Sequence, residues 1–437
     1  MPDTTSYYDK HSRHILSKLE LYFDGADNDP LVVDNSNHLI DYQIVEEASA
    51  ETTNPLGAVS ANELTITLAN FNNLFSPSNT AGAYYGKIKT GVMVKVYIRS
   101  IEEEEWSPFG VYYVADWKAK MGSATAFVTC YDIIQDLLLS PIPDFDIKEN
   151  ITFTKYIKYV LSLLGFDDAI VDESLNEIIP YGFPASSDIP TLVQTLAEGA
   201  ICIITSNRLG KVVVKKLQRG TIKATLTDKN QLKSLDSEQS IIKTYNGVNL
   251  TYVSPQVSQA KEILRVDSLL VPTGTFTHTT MKYPASIYKV YAATIIGSDK
   301  CNLQGYVSTN FGISVTTELS GDTSEEVTLS ITGANLELLE QELNDNKVNM
   351  LQIYNPYVQT ATYAASYKEK LNRFVKSDIP ILNACIRGNP ELLVGDTIHI
   401  DSDKYKLSFT GIIKRATYKY AGNLSCELTL LNAEVVA

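Results

Sequence analysis

The sequence lacks any long hydrophobic run. Its densest apolar stretches, AICII at 200 and LLVGDTIHI at 392, stop far short of the roughly 20 residues that cross a bilayer, so no membrane span is expected. The N-terminal stretch MPDTTSYYDKHSRHILSK has no uninterrupted apolar core, which argues against a secretory signal. Cysteine is scarce: Cys130, Cys202, Cys301, Cys385 and Cys426 are odd in number, scattered and free of CxxC spacing. That pattern disfavours a disulfide framework or a zinc site and reads as small core residues in a reducing compartment. Positive charge is the minority, with 37 Lys and Arg against 51 Asp and Glu and a net charge of −14. A protein that binds nucleic acid by neutralising phosphates needs the opposite sign, so no specific nucleic-acid binding is expected.

Catalytic signatures are missing as well. The chain contains no GxSxG, HExxH, Walker-type loop, GxGxxG or EF-hand spacing, and no cofactor or metal is expected. Of the five histidines, His11, His14, His38, His278 and His399, only the first two are close in sequence. At i, i+3 they would share a helix face as metal ligands, but a solvated arm is the simpler reading. Carboxylates abound, so pairs carry little information. IEEEEW at 101–106 reads as a solvated hairpin tip, and DSD at 401–403 as a tight turn.

What the chain does have is alternation. At 437 residues it exceeds one ordinary core, and 44% apolar with 20% charged residues is a globular composition. LELYF at 19, ELTITL at 63, VMVKVYI at 92, GVYYVADWKAK at 110 and TAFVTCYD at 125 alternate with period two, as half-buried antiparallel strands do. They define a first β domain at 18–135, a barrel or sandwich, preceded by an arm at 1–17 that reads as a short helix over YYDKHSRHILSK. Residues 136–218 read as a small α/β insert. DIIQDLLLSPIP gives a helix stopped by Pro141, and TFTKYIKYVLSLLGF gives a second ending at Gly165. SDIPTLVQTLAEGA gives a third helix, with Asp188 as cap and Pro190 in its first turn, and it leads into a hairpin turning at NRLG.

Strand signals return from Gly220, and 219–350 reads as a second β-barrel domain. Within it NLELLEQELNDNKVNMLQIYN is ambiguous, since Leu336, Leu339 and Leu343 fit a helix while KVNMLQIY alternates. The region 351–437 reads as a helix over Gln359–Val375 followed by strands. Its apolar stripe is Ala361, Ala364, Ala365, Leu371, Phe374 and Val375, with Tyr363 and Tyr367 on the flanks. The expected class is thus mainly β with an α+β insert, built from two tube-like antiparallel barrels. The chain ends soon after its last strand, so no appended enzymatic module is expected.

One connection is unusual. NFNNLFSPSN at 70–79, with the following TAGAYYGKIKTG, carries Phe71, Leu74, Phe75, Tyr84 and Tyr85 where small polar residues are usual. Either this loop is buried against another protein, or it caps the end of its own barrel. The 26 tyrosines suit protein interfaces at least as well as sugar platforms, for which the two tryptophans, Trp106 and Trp117, are few.

Two stretches carry a resemblance. ANELTITLANFNNLFSPSNTAGAYYGKIKTGVMVKVYI resembles the N-terminal β domain of the baseplate-hub and tail-associated proteins of tailed phages and related contractile injection systems. IYNPYVQTATYAASYKEKLNRFV followed by IRGNPELLVGDTIHI is similar to the same family's C-terminal part, through Asn355, Pro356, Gly388, Asn389, Pro390, Gly395 and Asp396. The resemblance implies a structural, non-enzymatic virion protein at the tail tip, assembled in the host cytoplasm as a homotrimer. It would close the distal end of the tail tube and adapt sixfold tube symmetry to a threefold spike or fibre. Implied partners are the tube or distal tail protein, the tape measure protein and the spike or fibre subunits. The rivals are a distal tail ring or other baseplate component and, of another class, a carbohydrate-binding adhesin or two-acid glycan hydrolase.

Overall fold

Strand Ile15–Tyr22 shows how the alternation becomes structure. Ile15, Ser17, Leu19 and Leu21 point inward, and Lys18, Glu20 and Tyr22 outward. Its neighbour Met93–Ser100 repeats the pattern, so the outer faces meet as a ladder in which Lys95 lies 4.8 Å from the Tyr22 ring and Lys18 4.8 Å from the Tyr97 ring. The computed structural model describes residues 14–48, 56, 59–186, 188–238, 245–283, 287–309, 312–345, 347–375 and 381–432. His11 and most of the expected N-terminal arm lie outside that range. From Ile15 onward the chain is already strand, where the helix reading continued to Lys18.

The strands of the first 135 residues line up in one sheet: Leu31–Asp34, Ile15–Tyr22, Met93–Ser100, Ser107–Lys118, Thr125–Tyr131, Glu63–Ala69 and Leu39–Glu47. The sheet does not end there. Leu39–Glu47 pairs antiparallel with Leu407–Tyr420, placing Tyr42 opposite Tyr420 with their rings stacked at 5.3 Å. Beyond it follow Leu424–Asn432, Ile381–Ile386 and Leu232–Glu238, while Thr397–Ser402 also pairs with Leu407–Tyr420 and carries Ile222–Thr227 on its other side, to make thirteen. The strands at 222–238 therefore belong with those at 381–432. This differs from the domain division expected from sequence, which grouped them with residues up to 350.

What separates these halves in sequence is a pair of further sheets. Glu325–Leu343, a 19-residue strand, pairs with Val248–Val257 at one end and lies between Lys261–Val271 and Ile287–Ile296 at the other. Gly312–Leu319 gathers Gly274–Thr277, Met281–Lys282 and Cys301–Ser308. The ambiguous segment at 335–343 is thus strand. Its leucines at helical spacing lose to eight consecutive backbone pairings with Val248–Val257. Small apolar clusters around Ile263, Ile287, Ile313 and Leu329, and around Val271 and Leu319, fill this region separately from the main core.

The α/β insert has helices α1 (Ile133–Leu139), α2 (Phe153–Leu163) and α3 (Ile189–Ala200), each started as its sequence dictates. Asp132, Thr152 and Asp188 accept backbone N–H groups of the first turn. At the other end of α2, Gly165 N–H bonds to Ser162 O and Phe166 N–H to Leu161 O, a Schellman closure. Helix α4 (Ala361–Val375) packs on Val248–Val257, whose Val248 N–H is held by Asn372 Oδ1 at 2.9 Å. Its buried face is Tyr363, Ala364, Tyr367, Leu371 and Val375, so the tyrosines expected on the flanks point inward and Ala361 and Ala365 outward.

Candidate functional site

The aromatic loop resolves into two groups of residues. Asn70 is buried and organises the turn, its Oδ1 accepting from Phe75 N–H at 2.8 Å and its Nδ2 donating to Ser76 Oγ and Ser123 O. Asn72 and Asn73 adopt left-handed φ values, which asparagine tolerates. This geometry drives Phe75 fully inside, against Tyr84 at 5.8 Å, Trp117 at 6.1 Å and the edge of His38 at 5.2 Å. Trp117 Nε1 donates to the Phe75 carbonyl, and Tyr84 stacks on Phe23 at 5.0 Å. Phe75, Tyr84 and the partly buried Leu74 therefore plug the end of their own sheet, so Phe75 is corrected from an interface residue to a core residue. Phe71 and Tyr85 face outward, 64% and 54% exposed. Met121 and Phe127 are exposed near the same end. Gly122 N–H bonds to Asn73 Oδ1, and Phe127 is paired with Thr67 on the strand leading into the loop.

The two C-terminal motifs are staples. At the first, Asn355 is fully buried, donates to Thr195 O of α3 at 2.9 Å and accepts from Tyr357 N–H at 3.0 Å. Pro356 O accepts from Gln359 Nε2, whose side-chain amide also bonds both backbone groups of Tyr181. Tyr357 Oη donates to Phe183 O and Tyr363 Oη to Gly199 O. The segment entering α4 is thereby zipped to the insert through groups that are satisfied inside the protein.

At the second, Gly388 and Gly395 have φ of +77° and +84°, and a Cβ at either would lie 2.8 Å from Leu424 Cγ or 2.7 Å from Ile203 Cδ1. Asn389 is buried, its Oδ1 accepting from Glu391 N–H. The Pro390 carbonyl faces the insert. Asp396 accepts from Leu393 N–H at 3.0 Å and pairs with Lys215 Nζ at 2.7 Å, tying the loop to the insert's hairpin.

Sequence reasoning missed the residue on which these contacts converge. Arg208, in the NRLG turn of the insert, reaches onto the main sheet and the 388–396 loop with its side chain only 15% exposed. Its guanidinium pairs with buried Glu46 and donates to the carbonyls of Phe109 at 3.2 Å, Leu392 at 3.3 Å and Pro390 at 3.4 Å. It also lies 4.5 Å from the Phe109 ring and 5.4 Å from that of Tyr418. Burial lowers its pKa from the ordinary value, yet an arginine starts so high that it stays charged. Tyr418 Oη donates to the Asn389 and Leu392 carbonyls, closing the network. One signal was available in sequence: Glu46 shares the inward parity of Tyr42 and Ile44, and a carboxylate on an apolar face requires a cation.

A second buried polar cluster joins the first β region to the insert. Asp132 accepts from Ile134 N–H and from Ser206 Oγ–H at 2.5 Å, and Asn62 reaches Ser206 at 3.3 Å. Burial pushes the Asp132 carboxyl up to about 6. His399 shares a hydrogen bond with Thr410 at 3.0 Å, and His278 with Thr317. Among the described residues no three His, Cys, Asp or Glu side chains converge as a metal site, and no helix is long and apolar enough to cross a membrane.

No protein-family model matches the sequence, and no match was found among curated proteins. Solved structures do match. The 43 kDa tail protein of prophage MuSo2 from Shewanella oneidensis aligns over 95% of this chain and 98% of its own, at 14% identity and a TM-score of 0.53. The tail protein from Neisseria meningitidis MC58 aligns over 96% and 97%, at 9% identity and a TM-score of 0.54. The alignments cover nearly the whole of this chain, so it has, over that length, the fold of these two tail proteins.

Proposed function

We propose that the protein is a structural hub of a phage-type tail, a homotrimer at the distal end of the tail tube that joins a sixfold tube to a threefold spike or fibre. The observation that carries this reading is the end-to-end correspondence of fold with the MuSo2 tail protein, which leaves neither chain with a large unmatched domain. The polar chemistry supports it. The most elaborate hydrogen-bonded groups, Arg208, Asn355, Gln359 and Asp396, hold the insert to the C-terminal segments. A protein that transmits force between a tube and a spike needs that rigidity. The reading assigns it no catalysis of its own.

In this account Phe71 and Tyr85, with Met121 and Phe127 beside them, contact a neighbouring subunit or the tube and distal tail protein above. The tape measure protein and the spike or fibre subunits are the other partners. The complex resides at the tail tip of the virion after assembly in the host cytoplasm. A net charge of −14 suits a lumen through which DNA passes without sticking. Electron microscopy of the purified particle tests the reading: a threefold ring with a central lumen is expected, and a sixfold ring would instead assign the chain to a distal tail ring.

A further inference from the structure

Basic residues are outnumbered across the chain, yet they gather at one cleft. Between α2, α4 and the end of strand Val212–Lys216 lies a cavity of about 300 Å3 with Phe153, Tyr363 and Phe374 among its apolar walls. Lys216, Arg219, Lys370 and Arg373 also line it, against the single carboxylate of Glu177. From outside the lining, Asp172 accepts from the Lys216 backbone N–H while the Lys216 ammonium donates to the Ser174 carbonyl, and Glu369 pairs with Arg373. Lys370 meets Glu177 at 3.4 Å with both side chains over a third exposed, and the Arg373–Glu369 pair is more exposed still. Exposed pairs of this kind are readily exchanged for a better partner.

The chain itself carries a matching element. At the hairpin tip between strands Met93–Ser100 and Ser107–Lys118, Ile101 and Glu102 to Glu105 are all exposed. The tip is held by its own hydrogen bonds. Arg99 donates to the carbonyls of Glu103 and Glu104 at 3.0 and 3.2 Å, and Ser100 N–H bonds to Glu103 Oε2. Among the described residues neither Glu104 nor Glu105 enters an ion pair. A pre-ordered tip loses little conformational freedom on docking.

We propose that this cleft receives the Glu102–Glu105 tip of a second copy of the chain, with Glu104 and Glu105 meeting the Lys370–Arg373 rim and Ile101 reaching the apolar wall. Tip and cleft are different surfaces, so the contact is heterologous and repeats head to tail until a ring closes. The proposal rests on the ring reading above and names the contact that sets it.

Charge reversal tests it on the full-length protein by sedimentation velocity at 50 and 500 mM NaCl. E104K/E105K and R219E/R373E are each expected to raise the dissociation constant of the assembly at least tenfold. The quadruple variant, with lysines on the tip and glutamates in the cleft, is expected to recover it. High salt should weaken the wild-type assembly, as it screens the charges. The tip variant lies on a solvent-exposed hairpin, so it remains informative if the cleft variant misfolds. If the folded tip variant assembles as tightly as wild type, the contact is wrong while the ring stands. If the wild type itself is a monomer, both fall.

Discussion

Replacing Arg208 with methionine removes the cation and keeps much of the side chain's apolar length. Glu46, 7% exposed at its side chain, would be left as a buried carboxylate without its partner, and the Phe109, Pro390 and Leu392 carbonyls would lose their shared donor. Breaking a buried ion pair from one side costs about 3–5 kcal/mol. With a urea dependence of about 3 kcal/mol per M, a loss of about 4 kcal/mol lowers the unfolding midpoint by about 1.3 M. Trp106 and Trp117 both lie on the first β region and report its melting by fluorescence. The second arm is R208M with Glu46→Leu. Apolar replacement of a whole buried pair is often close to neutral, so the double variant should regain most of the loss. A midpoint shift below about 0.3 M for R208M, or a double variant no more stable than the single one, would refute the view that this pair clamps the insert to the main sheet.

Two further outcomes follow from the same structure. The Asp132 carboxyl titrates at about 6 in the fold, above its ordinary 3.8, so the folded state binds the proton more tightly than the unfolded chain. Its contribution is therefore greatest below about pH 4 and is lost as pH rises through about 6, a swing of about 3 kcal/mol at 1.36 kcal/mol per unit. Asp132→Asn, which still caps α1, should flatten that part of a stability–pH profile, and an unchanged profile would show that another group causes it. In the aromatic loop, Phe75→Ser should cost about 3–5 kcal/mol because it empties a core position. Phe71→Ser with Tyr85→Ser should leave the melt nearly unchanged while weakening assembly, and a reversed ranking in thermal melts would overturn the assignment.

How much of this was legible in the sequence depends on the range of the interaction. The cap at Asp188 and the stop at Gly165 are set within four residues, and the alternation that marks strands is equally local. Strand pairing is not. Leu232–Glu238 finds Ile381–Ile386 across some 140 intervening residues, and nothing in either strand's own pattern names the other. The segment at 335–343 shows the same limit, since leucine spacing favoured a helix while partners far away supplied a ladder. Tyr363 and Tyr367 fall on the flanks of the apolar stripe by helical spacing. Tyr363 goes inside because Gly199 offers it a carbonyl, a partner visible only in three dimensions. The loop at 70–79 was recognised as unusual, but which aromatics turn inward was decided by Asn70 and Trp117, not by the aromatics themselves.

The central claim is that identical copies of this chain build a closed collar. The most direct test is native mass measurement of the purified protein at micromolar concentration. Three 48.3 kDa chains, about 145 kDa, is the mass the account predicts. A single species at 48.3 kDa that persists as concentration rises would contradict it.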